Sequence, residues 1–423
     1  VREALSGLTL RGRAFLAAGI TAVVCAVVMG QDQLIRVGVL VAALPLLAAL
    51  LIGRSRYRLA LVRTVNPQLV TAGSPARVTL SLSNEGRKPS GLLMLEDQVP
   101  YVLGTRHRFV LEGITNGWHR QVTYQVRSDV RGRFEIGPMT VRVSDPFGLV
   151  ELGRSFRTTV PLTVTPRTTP LPQIPLGGAW TGSGDNRPRA FATGSAEDVT
   201  VREYRRGDDL RRVHWRSSAR TGELMVRREE QPWQSRATLF LDNRAGAHRG
   251  RGVASSLEAA VSAAASIAVH LSHRGFTVRL VTAAGEDPAS AWHFRDAELN
   301  TGPLLEALAV VEAVPRPRLE TNWLADPTHG GLLVAVTGSI DDVDAKLFKR
   351  MLHHSTSALA VTLDVDSWLG QGSRGSAAQV LAGHGWRAAT LGPRDRLDNV
   401  WQDLGHASAQ AARIGAVVTE MAR

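Results

Sequence analysis

Cysteine is nearly absent. The 423-residue chain holds one, Cys25, inside an apolar run. That excludes an intrachain disulfide framework and any cysteine-rich metal site. Aromatic residues are scarce at 5%, although hydrophobic residues reach 44% and make a buried core available. Nucleotide fingerprints are missing too. GAHRGRG at 246–252 has the wrong form, and the glycine-rich stretch within Thr168–Pro188 lacks both a GKS or GKT ending and a preceding strand. No nucleophile stands at a useful spacing from a base, because Ser217 and Ser218 follow His214 too closely. Acids are in deficit, 38 Asp and Glu against 50 Lys and Arg, for a net charge of +12. Such a balance suits anionic lipid, nucleic acid or the cytoplasmic loops of a membrane protein.

Two apolar runs open the chain, Ala14–Gly30 and Leu34–Gly53, separated by Gln31, Asp32 and Gln33. Each is about as long as a bilayer core is thick, so residues 1–63 are expected to form a membrane hairpin with Pro45 as a kink. The alternatives are a signal peptide for the first run or the buried hairpin of a soluble protein. A second apolar run at once, without a clear cleavage site, argues against the signal peptide. Arg11 and Arg13 precede the hairpin and Arg54, Arg56, Arg58 and Arg63 follow it. The positive-inside rule then places both termini and the soluble domains in the cytoplasm, with the chain a multi-pass protein of the cell membrane.

Residues 64–166 alternate with period two at Ala76–Leu82, Trp118–Val126, Thr140–Val143 and Phe156–Pro166, broken by turn signals. This predicts an antiparallel β-sandwich of roughly one hundred residues. His107 and His119 are isolated and are assigned to surface or loop. RGRFEIG at 131–137 is expected to turn. In SDPFGL at 144–149, Asp145 is expected to cap, Gly148 to take positive φ, and Phe147 to plug the end of the sandwich.

Residues 167–235 combine a Pro/Gly/Ser/Thr-rich linker with the stretch Val201–Arg228, which carries nine arginines and four acids around Tyr204 and Trp215. Three accounts of it stay open. Acids and arginines could form a network that clasps the flanking domains, with Trp215 as hydrophobic anchor. The surplus of Arg202, Arg212, Arg216 and Arg220 could bind phosphate or a partner's carboxylates. Or His214, with Asp208 or Glu203, could do acid–base chemistry. Nucleic acid is not expected, since no reading module accompanies the charge.

From 236 to 420, compact apolar strands alternate with helices: strands at 237–241, 276–282, 331–337, 358–364 and 387–391, helices at 255–272, within 296–314, and at 344–353 and 375–383. This predicts an α/β domain with a mostly parallel sheet. Ligands of such sheets gather at the carboxyl ends of strands, here marked by Asp242, by Thr337 and Ser339 with Asp341 and Asp342, and by Asp364 and Asp366. These acids could attract a divalent cation, but strand-end Asp residues are also ordinary caps.

The motif REYRRGDDLRRVHWRSSARTGELMVRR at 202–228 resembles the core signature of the bacterial "domain of unknown function 58" family: Arg202-Glu203-Tyr204, Gly207-Asp208, Arg212 to Trp215, and Ser218-Ala219-Arg220, in order. The membrane hairpin and the turn at 145–149 resemble the family as well. The resemblance implies a membrane anchor through the lipid bilayer, a von Willebrand factor A-like C-terminal domain and a protein partner, a MoxR-type AAA+ ATPase. In von Willebrand A domains a metal site begins D-x-S-x-S. Asp242 matches the Asp, but Arg244 and Gly246 stand at the Ser positions. The implied site is degenerate, with Asp242 as its one retained ligand for Mg²⁺, so no cofactor is expected. Arg244 could replace the cation and receive an acidic side chain from a partner. The expectation is two transmembrane helices, then the β-sandwich, then the von Willebrand factor A-like domain, acting as a membrane-anchored scaffold or adaptor in envelope or secreted-protein assembly. The alternative is an enzyme or anion-binding protein centred on 202–228.

Overall fold

The computed structural model describes residues 7–54, 59–84, 92–111, 118–145, 147–176, 200–204, 215–228, 235–286, 301–325, 331–371 and 377–406. The chain begins with two antiparallel helices, α1 (Leu10–Met29) and α2 (Asp32–Arg54). Thr9 caps α1 by accepting the Gly12 N–H at 3.2 Å. Both helices are long and apolar enough to cross a membrane, and only 17% and 22% of their most apolar windows is buried. A core hairpin of a soluble protein would be mostly covered. The helices meet through small residues. A Cβ on Gly19 would lie 2.5 Å from the Ala42 nitrogen, and one on Gly38 would lie 2.9 Å from the Val23 nitrogen. Such close backbone approach characterises helix pairs in lipid, where packing must replace the hydrophobic drive.

Ten strands follow. They are β1 (Leu59–Asn66), β2 (Leu69–Thr71), β3 (Pro75–Asn84), β4 (Leu92–Asp97), β5 (His107–Leu111) and β6 (His119–Arg127). Then come β7 (Gly132–Ile136), β8 (Met139–Ser144), β9 (Glu151–Phe156) and β10 (Val160–Thr165). They form sheets ordered β1-β3-β6, β5-β4-β8-β9 and β2-β10-β7, antiparallel except for β2 with β10. Strand β3 shows why: Ala76, Val78, Leu80 and Leu82 are buried at every second position. They share one aliphatic core with Leu93, Leu95, Ile136, Val141 and Leu162.

A buried charged knot ties the sandwich together. Asp97 of β4 accepts Arg63 Nε at 3.2 Å and Nη2 at 2.5 Å from β1, and Tyr124 Oη at 2.6 Å from β6. Arg63 Nη1 also donates to the Thr158 carbonyl at 2.6 Å. Burial raises the Tyr124 pKa, and its bond to Asp97 adds to that, so the phenol keeps its proton to donate.

Several expectations need correction. RGRFEIG is not a turn: Gly132–Ile136 is strand β7, paired with β10, because Phe134 and Ile136 turn apolar groups toward the core. Phe147 does not plug the sandwich and is 68% exposed; Leu149 and Val150 are the buried members of that turn. Asp145 does cap it, accepting the Phe147 and Val150 N–H groups at 3.0 and 2.7 Å, and Gly148 has φ +66°. His107 is not isolated: it opens β5 and packs on Tyr124 with ring centroids 4.2 Å apart.

The expected linker also begins differently. Residues 167–176 run along the C-terminal domain as a docked strap. Ile174 is buried in that domain's core, Trp401 Nε1 donates to the Pro172 carbonyl at 3.1 Å, and Arg387 donates to the Pro175 and Leu176 carbonyls. Residues 177–199, with Trp180, lie outside the described residues.

The C-terminal sheet contains β13 (Ser235–Leu241), β14 (Phe276–Thr282), β15 (Gly285–Glu286), β16 (Leu332–Thr337), β17 (Ser357–Leu363) and β18 (Arg387–Leu391). Its order is β15-β14-β13-β16-β17-β18, with five parallel strands and β15 antiparallel at the edge. Helices α4 (Ser256–His273), α5 (Gly302–Ala309), α6 (Asp342–His353) and α7 (Ala377–Gly383) connect the strands. A further helical stretch covers 397–406. Two hydrophobic cores bury the two faces of the sheet, a mainly aliphatic one with α4 and one with α6 that is built around Phe240, Trp323, Phe348 and Trp386. Runs such as LLVAVT in β16, buried at all six positions, are what a sheet covered on both faces requires.

Candidate functional site

The chain leaves β13 toward β14 on one side and later returns to place β16 on the other, so the strand order reverses between β13 and β16. In doubly wound sheets this switch point opens a crevice at the carboxyl ends of the strands, where ligands bind. Asp242 follows β13 directly and is fully buried; its N–H continues the ladder to the Val336 carbonyl at 2.9 Å. Thr337, the last residue of β16, donates its hydroxyl to Asp242 Oδ2 at 3.1 Å.

Arg244 occupies the crevice and is 5% exposed. Its Nε and Nη2 grip Asp242 at 3.0 and 2.8 Å, while Nη1 and Nη2 grip Asp344 of α6 at 3.0 and 2.8 Å. Nη1 also donates to the Pro317 carbonyl at 3.3 Å. A guanidinium has five N–H donors, and these contacts use all of them. Two bidentate forks thus share one cation. Burial pulls the Arg244 pKa down, but the bonds and charges of Asp242 and Asp344 outweigh it and hold the group above its ordinary value.

Two carboxylates against one guanidinium leave the cluster one negative charge in excess. Helix α6 offsets part of it. Asp341 caps the helix, accepting the Val343 and Asp344 N–H groups at 2.9 and 2.7 Å, and Asp344 reaches back to the Asp341 N–H at 3.3 Å. Asp344 therefore sits in the first turn, where the helix field favours negative charge. Backbone donation from Asp344 also lowers the pKa of exposed Asp341.

Further hydrogen bonds brace the loop after β13. His248 Nε2 lies 2.6 Å from the Asp242 carbonyl, which can only accept, so this nitrogen carries the proton and Nδ1 accepts from Ser256 Oγ at 3.1 Å. Burial pushes the His248 pKa down and keeps the ring neutral. Asn243 spans to the Glu312 carbonyl at 2.7 Å and the Ala283 N–H at 3.1 Å. Beside this network, a cleft of about 280 Å³ opens at the ends of β16 to β18, lined by Arg249, Ser339, Asp364, Asp366, Gln379 and Thr390 among others. Among the described residues, no group of three or more His, Cys, Asp or Glu could hold a metal ion.

The arginine-rich motif forms a separate small element. Strand β11 (Thr200–Glu203) pairs antiparallel with β12 (Met225–Arg228), and helix α3 (Trp215–Thr221) lies between them in sequence. Ser218 Oγ accepts the Met225 N–H at 2.9 Å, and the Tyr204 N–H reaches the Leu224 carbonyl at 2.8 Å. Trp215 is 71% exposed and so is not a buried anchor; Arg216 and Arg220 are exposed as well. Arg202 lies on β11, but its side chain, together with Asp208, Arg212 and His214, lies outside the described residues. The acid–base account of His214 lies there too.

Among the described residues, the sandwich and the α/β domain are joined through Arg131. Arg131, at the start of β7, pairs with Glu258 of α4 and donates to the Leu308 and Val311 carbonyls around the end of α5. The structure thus brings Asp242 and Arg244 together with Thr337 of the strand-end rim and with His248, and adds Asp344, which sequence reasoning did not assign to a site. A buried-pair signal for Asp344 was available only in the capping pattern of α6.

No curated protein matches the chain. Among solved structures, the CARDB domain of a Pyrococcus furiosus protein shares 14% identity over 26% of this chain and 93% of that one, at a TM-score of 0.20. A chain of the complex of zinc 2-glycoprotein with prolactin-inducible protein from human seminal plasma shares 10% identity over 26% and 98%, also at 0.20. Likenesses at that score carry no argument. Residues 200–292, which hold the arginine-rich element, β13, Asp242, Arg244 and α4, match the family described as protein of unknown function DUF58, and this match supports the resemblance carried by the 202–228 motif.

Proposed function

We propose that the chain is a membrane-anchored scaffold that recruits a protein partner and does no bond chemistry of its own. The observation that carries this is the filled switch point: the place where a doubly wound sheet takes its ligand is held by the chain's own Arg244, with every N–H engaged. The sheet order with one antiparallel edge strand supports a von Willebrand factor A-like domain. Asp242 is then its retained metal ligand, and the guanidinium stands where Mg²⁺ would. The acidic counterpart of Arg244 is Asp344 of the same chain, so Arg244 offers nothing to a partner.

The hairpin crosses the cell membrane with both ends in the cytoplasm, as the flanking arginines require. The recruiting surface is the β11–α3–β12 element. Its exposed Trp215, Arg216 and Arg220 suit an acidic patch on a partner, since exposed Trp and Arg are the residue types that dominate interface energetics. The resemblance makes that partner a MoxR-type AAA+ ATPase and the process envelope or secreted-protein assembly. Co-purification of the detergent-solubilised full chain with such an ATPase tests this. The double change Arg216→Glu and Arg220→Glu is expected to cut recovery at least tenfold, as loss of about 1.4 kcal/mol or more would. Recovery equal to the unaltered chain would remove this surface from the proposal. The anion-binding alternative shares these residues. Competition by an acidic peptide but not by inorganic phosphate supports the partner surface, and competition by inorganic phosphate alone supports the anion site.

A further inference from the structure

The turn that was expected to plug the sandwich has another use. Asp145 and Gly148 lock its shape, and it is fastened to the foot of the hairpin. The Thr9 N–H donates to the Leu149 carbonyl at 2.9 Å, Thr9 Oγ1 donates to the Gly148 carbonyl at 2.7 Å, and the Glu151 N–H donates to the Gly7 carbonyl at 2.8 Å. A Cβ on Gly12 would come within 2.1 Å of the Leu149 carbonyl oxygen, so any larger residue would lift the turn off the helix. Leu149 and Val150 pack with Ala49 of α2, and with Leu8, Ala48 and Ile52 around it.

These contacts fix the height of the turn. Thr9 is the cap of α1, and the uncharged apolar run begins about one helical turn further on, at Ala14. The turn therefore stands about one helical turn outside the uncharged run, at the level of the lipid headgroups. Asp145 and Leu149 on either side of it are buried, yet Phe147 is left exposed, and so is Leu10 across the Thr9–Gly148 bond. Arg11 and Arg13 are exposed at the same level. Exposed apolar groups continuous with a lipid-facing helix, ringed by cations, have the composition of a membrane interface.

We propose that the 145–150 turn is a foot in the bilayer interface: Phe147 inserts at the boundary of headgroups and acyl chains and fixes how the sandwich stands on the membrane. This rests on the transmembrane reading of the hairpin, and the experiment separates the two. Full-length protein is reconstituted into phosphatidylcholine–phosphatidylglycerol vesicles with one bimane label per chain. The label is placed at native Cys25, at Phe147→Cys with Cys25→Ala, or at Tyr101→Cys with Cys25→Ala. Cys25 lies about 22 Å along α1 from Leu10 at about 1.5 Å per residue. Tyr101 is 92% exposed beyond the Asp97–Met139 end of the sheet, opposite the Leu92–Ser144 end that bears the turn.

The label at 147 is expected to shift to the blue, to lose emission to lipids carrying a shallow nitroxide, and to resist aqueous iodide. The label at 101 is expected to be quenched by iodide alone. Iodide quenching at 147 while Cys25 is quenched by acyl-chain nitroxide would overturn the foot and leave the hairpin standing. Protection at 147 from both quenchers would assign the turn to a protein contact and also overturn it. Lipid quenching at 101 equal to that at 147 would mean general adhesion and count against the foot. Absence of lipid quenching at Cys25 would remove the hairpin and the foot together.

Discussion

Replacing Arg244 with Met is expected to destabilise the α/β domain by about 3–5 kcal/mol, the usual result of removing one partner from a buried ion pair. Methionine fills much of the volume of the arginine stem, so packing is not the main loss. The loss is electrostatic: Asp242 and Asp344, both buried, would face each other with no cation between them. Hydrogen exchange on the full chain reads this directly, as a fall in protection of β13 and β16 amides with little change in the sandwich. The triple change Asp242→Asn, Arg244→Met, Asp344→Asn should recover much of the protection, because burying three neutral groups avoids the unpaired charge. Equal damage from the single and triple changes would mean that shape and not charge holds the site.

Asp97→Ala is expected to cost the sandwich a similar amount, about 3–5 kcal/mol. It would leave the Arg63 guanidinium buried without its carboxylate and the Tyr124 hydroxyl without its acceptor. Arg63, Asp97 and Tyr124 come from three strands in two sheets, so the change should loosen β1, β4 and β6 together and spare β13 to β18. Asp97→Asn keeps an acceptor for Tyr124 and should cost less. If exchange rises only near residue 97, the three groups do not act as a knot.

Much of the fold was legible in the sequence because period and apolar runs report burial. The five parallel strands came within about two residues of their positions, since each is buried on both faces and bounded by polar turns. Strands β1, β2, β4, β5, β7 and β9 escaped; in β1, β4 and β9 the alternation is interrupted by buried or paired polar groups, as at Arg63, Glu96 and Asp97, or is simply polar, as in ELGRSF. Phe147 was assigned inward because aromatic residues usually are; nothing local says that Leu149 and Val150 take the buried places. The position of Asp242 was legible from the strand before it. The pairing of Arg244 with Asp344, 100 residues away, was not, because only the sheet order brings α6 beside β13. The contacts of Arg131 and of the 167–176 strap on the α/β domain had no sequence pattern to announce them; of the 202–228 stretch, the exposed Trp215 is not a buried anchor, while Asp208, Arg212 and His214 lie outside the described residues.

The claim on which the functional reading depends is that Arg244 fills the ligand place at the switch point. Titrating Mn²⁺ into the detergent-solubilised full chain, and following the free ion by electron paramagnetic resonance, tests it. If the guanidinium holds that place, the free signal should not fall in any way that depends on Asp242. A stoichiometric loss of free Mn²⁺ with the unaltered chain, abolished by Asp242→Asn, would show that the site is a metal site after all.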